Sequence, residues 1–171
     1  MNRLRVFLCV STVTVVFISV WGCTPKKEDE PQEESDDVVF FNHVLSAWEK
    51  GDKEGATARF LKVNWDEPAA LEDMSILHTT KQQFDALSYD KQVHIMEDAK
   101  ELSANMRKIG MHILTAGDDA LSSGDKQSAK AHYEAVLKCS QAVLSEDRFE
   151  LFLLTAKGLN KVASDKLLAV E

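Results

Sequence analysis

Five histidines, His43, His78, His94, His112 and His132, are the side chains best suited to metal ligation and proton transfer. No two of them stand at i, i+4, and no His-Glu-x-x-His occurs. His94, Glu97, Asp98 and Glu101 fall within two turns of one helical stretch. Metal sites in helical bundles take Glu-x-x-His pairs from two helices plus further glutamates. Here the order is reversed and occurs once, which is the pattern of a solvated helix face. No Cys-x-x-Cys-His is present for haem attachment. There is no Gly-rich phosphate loop, no Gly-x-Ser-x-Gly elbow and no dinucleotide fingerprint. Carboxylates are plentiful, but hydrolysis by a carboxylate pair needs two acids converging in a cleft, and no spacing here marks such a pair. The sequence thus assigns no catalytic residue, no cofactor and no metal. Trp48, Trp65, Phe40 and Phe41 cluster early. They read as core, or as an aromatic strip for a partner helix, since aromatics are enriched at interfaces.

The elements that position these residues are helical throughout. After residue 37 the only proline is Pro68, and apolar residues recur at helical rather than alternating spacing. The pattern predicts helices over 38–50 and 53–64, and a short one after Asp66-Glu67-Pro68, with Asp66 as cap and proline in the first turn. Thr80 and Gln83 form a capping box for a short helix to Leu87. Ser88 opens the longest helix, to about Ser122. Asp125 caps the next, to Leu144. Ser145 caps the last, with Glu146 and Asp147 complementing the helix dipole. The long helix carries an apolar stripe at Val93, Met96, Ala99, Met106, Ile109, Ile113, Gly117 and Leu121. Its stripe needs partners, and short loops make sequence neighbours antiparallel.

The amino end has a different character. Arg3 and Arg5 precede an apolar run over 6–21, shorter than the roughly 20 residues of a bilayer span. The run ends in Val20-Trp21-Gly22-Cys23. This resembles a bacterial lipoprotein signal peptide with its lipobox: an aliphatic residue three before the cysteine and a small one directly before it. The resemblance implies cleavage after residue 22 and a diacylglycerol on Cys23. Two or three acyl chains give stable anchoring, at about 0.8 kcal/mol per buried methylene. It further implies a cell-envelope address, facing the periplasm or exterior. An aspartate at the second mature position retains such proteins at the inner membrane; Thr24 stands there and favours the outer one.

Residues 24–37 read TPKKEDEPQEESDD, with seven acids and no large apolar side chain. Such a segment cannot bury enough surface to offset its ordering entropy, and its like charges extend it. It reads as a disordered spacer. The formal net charge is −8, and loss of Arg3 and Arg5 makes the mature chain −10. That balance argues against nucleic-acid binding and leaves the lipid as the membrane attachment. With Cys9 removed and Cys23 lipidated, Cys139 is the sole free thiol, best read as a small buried apolar residue.

Two segments look alike. Trp48 to Phe60 (WEKGDKEGATARF) parallels Leu121 to Tyr133 (LSSGDKQSAKAHY). Each has Gly-Asp, a small residue four after the Asp, and an aromatic four further on. This resembles the turn and second helix of a tetratricopeptide repeat, whose glycine turns the chain, whose acid caps the helix and whose aromatic fills the interhelix core. The two units lie about 73 residues apart rather than one repeat of 34. The resemblance implies that Phe41, Leu45 and Trp48 of the first unit, with Asp118 and Ser122 of the second, face a peptide-binding groove.

Together these readings give a signal peptide over 1–22, a lipidated cysteine and acidic linker over 23–37, and an all-α domain over 38–171. The domain is expected to be an antiparallel helical bundle with tetratricopeptide-like hairpins. The expected role is non-enzymatic: a lipid-anchored envelope protein that binds another envelope protein. The alternative is a small-molecule or metal-binding bundle in the periplasm, with His94, Glu97 and Glu101 as ligands.

Overall fold

The Gly-Asp pairs build two corners of the same design. In a computed structural model, which describes residues 39–72, 74–144 and 148–170, Gly51 and Gly124 adopt φ of 82° and 87°. Only glycine enters that left-handed region without strain. At the first corner Gly51 N–H donates to Trp48 O (3.0 Å) and Asp52 N–H to Ala47 O (3.0 Å). At the second, Gly124 N–H donates to Leu121 O (3.0 Å) and Asp125 N–H to Ala120 O (2.9 Å). This is the paired bonding of a Schellman C-cap. Each aspartate then starts the next helix: Asp52 Oδ1 accepts from Gly55 N–H (2.8 Å) and Asp125 Oδ1 from Ser128 N–H (3.0 Å). One residue thus ends one helix and caps another.

These corners join α1 (Phe41–Glu49) to α2 (Lys53–Lys62), and α4 (Tyr89–Ser122) to α5 (Lys126–Leu144). Between the hairpins lie two 3-10 turns, Pro68–Leu71 and Ser75–His78, and the short α3 (Lys81–Asp85). The chain closes with α6 (Glu150–Val170). There is no strand among the described residues, and the fold is an all-α helical bundle. The long helices α4, α5 and α6 pack against one another, and α2 touches α5.

Several boundaries follow local chemistry. Thr80 and Gln83 form the expected box: Gln83 N–H donates to Thr80 Oγ1 (3.2 Å) and Thr80 N–H to Gln83 Oε1 (2.9 Å). Ser88 sits at the N-cap of α4 without a side-chain bond. Asp66 is not the cap of the turn at Pro68; Glu67 holds that place, and Asp66 instead accepts from Lys138 of α5 (2.7 Å). The Ser75–His78 turn has no side-chain cap and carries no local signal. Residues 145–147, with the expected cap Ser145, lie outside the described residues.

The core joins both hairpins. Ala56 and Ala129, at matching corner positions, are buried, as are the aromatics four residues on, Phe60 and Tyr133. Phe41, Phe60 and Trp65 form an aromatic cluster with centroids 4.8 to 6.3 Å apart. Trp65 Nε1 donates to Phe60 O (3.2 Å), which satisfies its buried N–H. Small residues set the helix spacings. A Cβ on Gly117 of α4 would stand 2.4 Å from Tyr133 Cε1 of α5, and one on Gly110 would stand 2.7 Å from Leu159 Cδ2 of α6.

Candidate functional site

The interaction residues expected from the first hairpin do not form a groove. Phe41 is 1% exposed and Leu45 is buried, both within the core. Their helix turns this face onto α2 and the loop behind it, so they hold the hairpin together and offer no surface. Trp48 is half-buried, its ring 5.5 Å from that of His112 on α4, with Lys53 Nζ 5.6 Å from its centroid. It joins α1 to α4. Cys23, the expected lipid site, lies outside the described residues.

Asp118, expected at the same groove, has a structural task. Its carboxylate accepts from Tyr133 Oη (2.7 Å) and from Lys166 Nζ (2.7 Å to Oδ2). One residue on α4 thus ties α5 and α6. Burial alone would raise the Asp118 pKa, but the bonds from Lys166 and Tyr133 outweigh it and hold it below the ordinary carboxylate value. The same burial and the Asp118 charge push Tyr133 up to about 12. Ser122 folds back, its hydroxyl donating to Asp118 O (2.8 Å).

His94 Nδ1 lies 4.0 Å from Glu97 Oε2 at a strongly exposed site. Among the described residues no three histidine, cysteine, aspartate or glutamate side chains are grouped to hold a metal ion. Cys139 is buried, and desolvation pushes its thiol up to about 12, so the native side chain is a thiol and not a nucleophilic thiolate.

A surface depression lies elsewhere, where α4 and α6 run side by side. Two adjoining hollows, of about 550 and 350 Å³, share Arg107, Met111 and Thr155. Their floor is the seam joined by the Ser103 and Thr155 hydroxyls, 2.7 Å apart. Met111 is 44% and Leu154 57% exposed on its rims. Gly158 leaves open space where a side chain would stand. Lys100, Arg107 and Lys108 are its charged lining residues. No helix among the described residues is long and apolar enough to cross a membrane. No known protein family, no curated protein and no solved structure matches this chain.

The α4–α6 groove is not legible along the chain because the main apolar stripe of each helix masks a second. The available signal was Met111, Leu154 and Gly158, which fall off the main stripes.

Proposed function

We propose that this chain is a lipid-anchored cell-envelope protein whose helical domain docks another protein along the α4–α6 groove, without catalysis of its own. The observation that carries the docking is the open apolar seam with Met111 and Leu154 on its rims. Two long helices present it on a rigid frame, and a partner covering it would remove apolar surface from water. The anchoring rests on the lipobox resemblance at Val20, Gly22 and Cys23. Tethering confines the domain to one surface and raises its effective concentration toward partners there. The two Gly-Asp corners, each with a buried alanine and aromatic, support reading them as tetratricopeptide-like hairpins.

Two experiments test this. Mass spectrometry of the mature protein should find an amino terminus at Cys23 bearing a diacylglycerol, and Cys23→Ser should release the chain from the membrane fraction. An intact Met1, or unchanged fractionation, contradicts the anchor. Native gels of solubilised membranes should show the chain in a complex with a second protein, and Leu154→Asp, on a chain with unchanged circular dichroism, should break it. A complex that survives contradicts docking at the groove.

A further inference from the structure

The groove is lined by cations in a chain that is acidic overall. The protein carries 28 acidic against 20 basic residues. Yet between Glu101 and Asp118, α4 has no carboxylate, while it holds Arg107 and Lys108. Between Glu150 and Asp165, α6 has none either, while it holds Lys157 and Lys161. These two acid-free stretches are the ones that lie side by side at the seam. Beside the lining, Lys157 and Lys161 follow Leu154 and Gly158 by three residues, and Glu101 precedes Ala104 by three, the spacing of neighbours on a helix surface. The groove therefore has a mainly apolar lining over the Ser103 and Thr155 hydroxyls, with Lys100, Arg107 and Lys108 on its α4 wall.

We propose that the occupant is an amphipathic helix whose apolar stripe is flanked by Asp or Glu. This rests on the reading of the groove as a docking site and names the chemistry of its partner. Lining residues span 100–111 on α4 and 151–162 on α6. Each span is about 16 Å long at 1.5 Å per residue, so the slot takes about three turns of helix. Apolar side chains at i, i+3, i+4 and i+7 would sit on Met111, Leu154 and Leu159, as in helix-in-groove recognition. At Gly158 the missing side chain lets the incoming backbone approach closely. Flanking carboxylates would meet Lys100, Arg107 and Lys108 on the α4 wall. Charge complementarity of this kind sets partner choice and salt dependence.

The test uses the full chain in nanodiscs and two fluorescent probe peptides with one leucine stripe, flanked by glutamate or by lysine. Fluorescence polarisation should show the glutamate peptide binding about tenfold tighter or more than the lysine peptide, with affinity falling as salt rises. The double variant Arg107→Glu, Lys108→Glu should remove most of that preference, and Leu154→Asp should weaken both peptides. Equal binding of the two peptides by the parent chain, or an undiminished preference in the double variant, overturns the acidic assignment. If neither peptide binds while Leu154→Asp still breaks the native complex, docking stands and the acidic helix is wrong. Tighter peptide binding after deletion of residues 28–37 would assign the groove to the chain's own acidic tract. A Leu154-dependent dimer in sedimentation would assign it to a second copy. Either result overturns the proposal.

Discussion

Gly117→Ala places a methyl group where the packing of α4 on α5 has no room. The new Cβ would stand 2.4 Å from Tyr133 Cε1 and 2.9 Å from Cδ1. Ordinary carbon contacts are about 3.5 Å or more, so ring and helix must part by about 1 Å. The ring cannot turn away freely, because it is 1% exposed and its hydroxyl is bonded to Asp118, the next residue on the same helix. Overpacking of this kind costs about 1–3 kcal/mol. Loss of the tyrosine hydrogen bond adds roughly 1 kcal/mol. Alanine's better helix propensity returns about 1 kcal/mol. The net expectation is a loss of about 2 kcal/mol, or roughly 6–10 °C in Tm for a domain of this size. Gly158→Ala is the control, since its Cβ meets nothing within 4 Å. It should gain about 0.5–1 kcal/mol from helix propensity alone. Urea unfolding followed by circular dichroism, on a common Cys23→Ser background, measures both. A second check is coupling: Tyr133→Leu should relieve part of the Gly117→Ala penalty, so the double variant loses less than the sum. If Gly117→Ala is as stable as the parent, or both glycine variants shift the same way, the close-approach argument fails.

Other expectations follow from the same contacts. The Asp118 pKa is depressed in the folded state, so its stabilisation is present above the ordinary carboxylate pKa and is lost as pH falls through the folded value; Asp118→Asn should flatten the acid limb of stability against pH, and an unaltered limb would count against the tie. Tyr133 is raised, so its contribution holds below pH about 10 and is lost as pH climbs toward about 12; Tyr133→Phe should remove that part of the alkaline loss, as read from melts between those limits. Cys139 should react with a thiol reagent only at the rate of unfolding, because it is buried and protonated; a fast native reaction would show that the thiol is accessible. Lys138→Ala removes a bond to Asp66 between two well-exposed side chains, so it should change stability by less than about 1 kcal/mol, and a larger loss in urea unfolding would mean that this tie between α5 and the loop after α2 matters more than its exposure implies.

The corners were legible in the sequence because their chemistry is local. A glycine at positive φ and an aspartate that caps three residues on leave a signature within a few residues, and both hairpins follow it. The capping box at Thr80 was legible for the same reason. Asp66 was misread because a capping acid and an acid paired with a distant lysine look alike along the chain; its partner, Lys138, is 72 residues away. The stripe on α4 named the right face but not its extent. Ala99, Met106, Ile109, Ile113 and Gly117 of the stripe are buried, while Val93 is 37% exposed, since the start of α4 runs where less packs against it. Phe41 and Leu45 were placed on a groove by borrowing the geometry of adjacent repeats. These hairpins are separated by two turns and α3, so that geometry did not transfer. The α4–α6 groove depends on which helix face stays uncovered, and periodicity records faces without recording their neighbours.

The most direct test of the tethered docking domain is site-specific photo-crosslinking in native membranes. A photoreactive residue replaces Leu154 in the full chain, with Lys130 on α5 as the control position. The account predicts one discrete protein adduct from position 154, absent from position 130, and strongly reduced when Cys23→Ser removes the tether. The same adducts from both positions, or an adduct indifferent to Cys23→Ser, would contradict it.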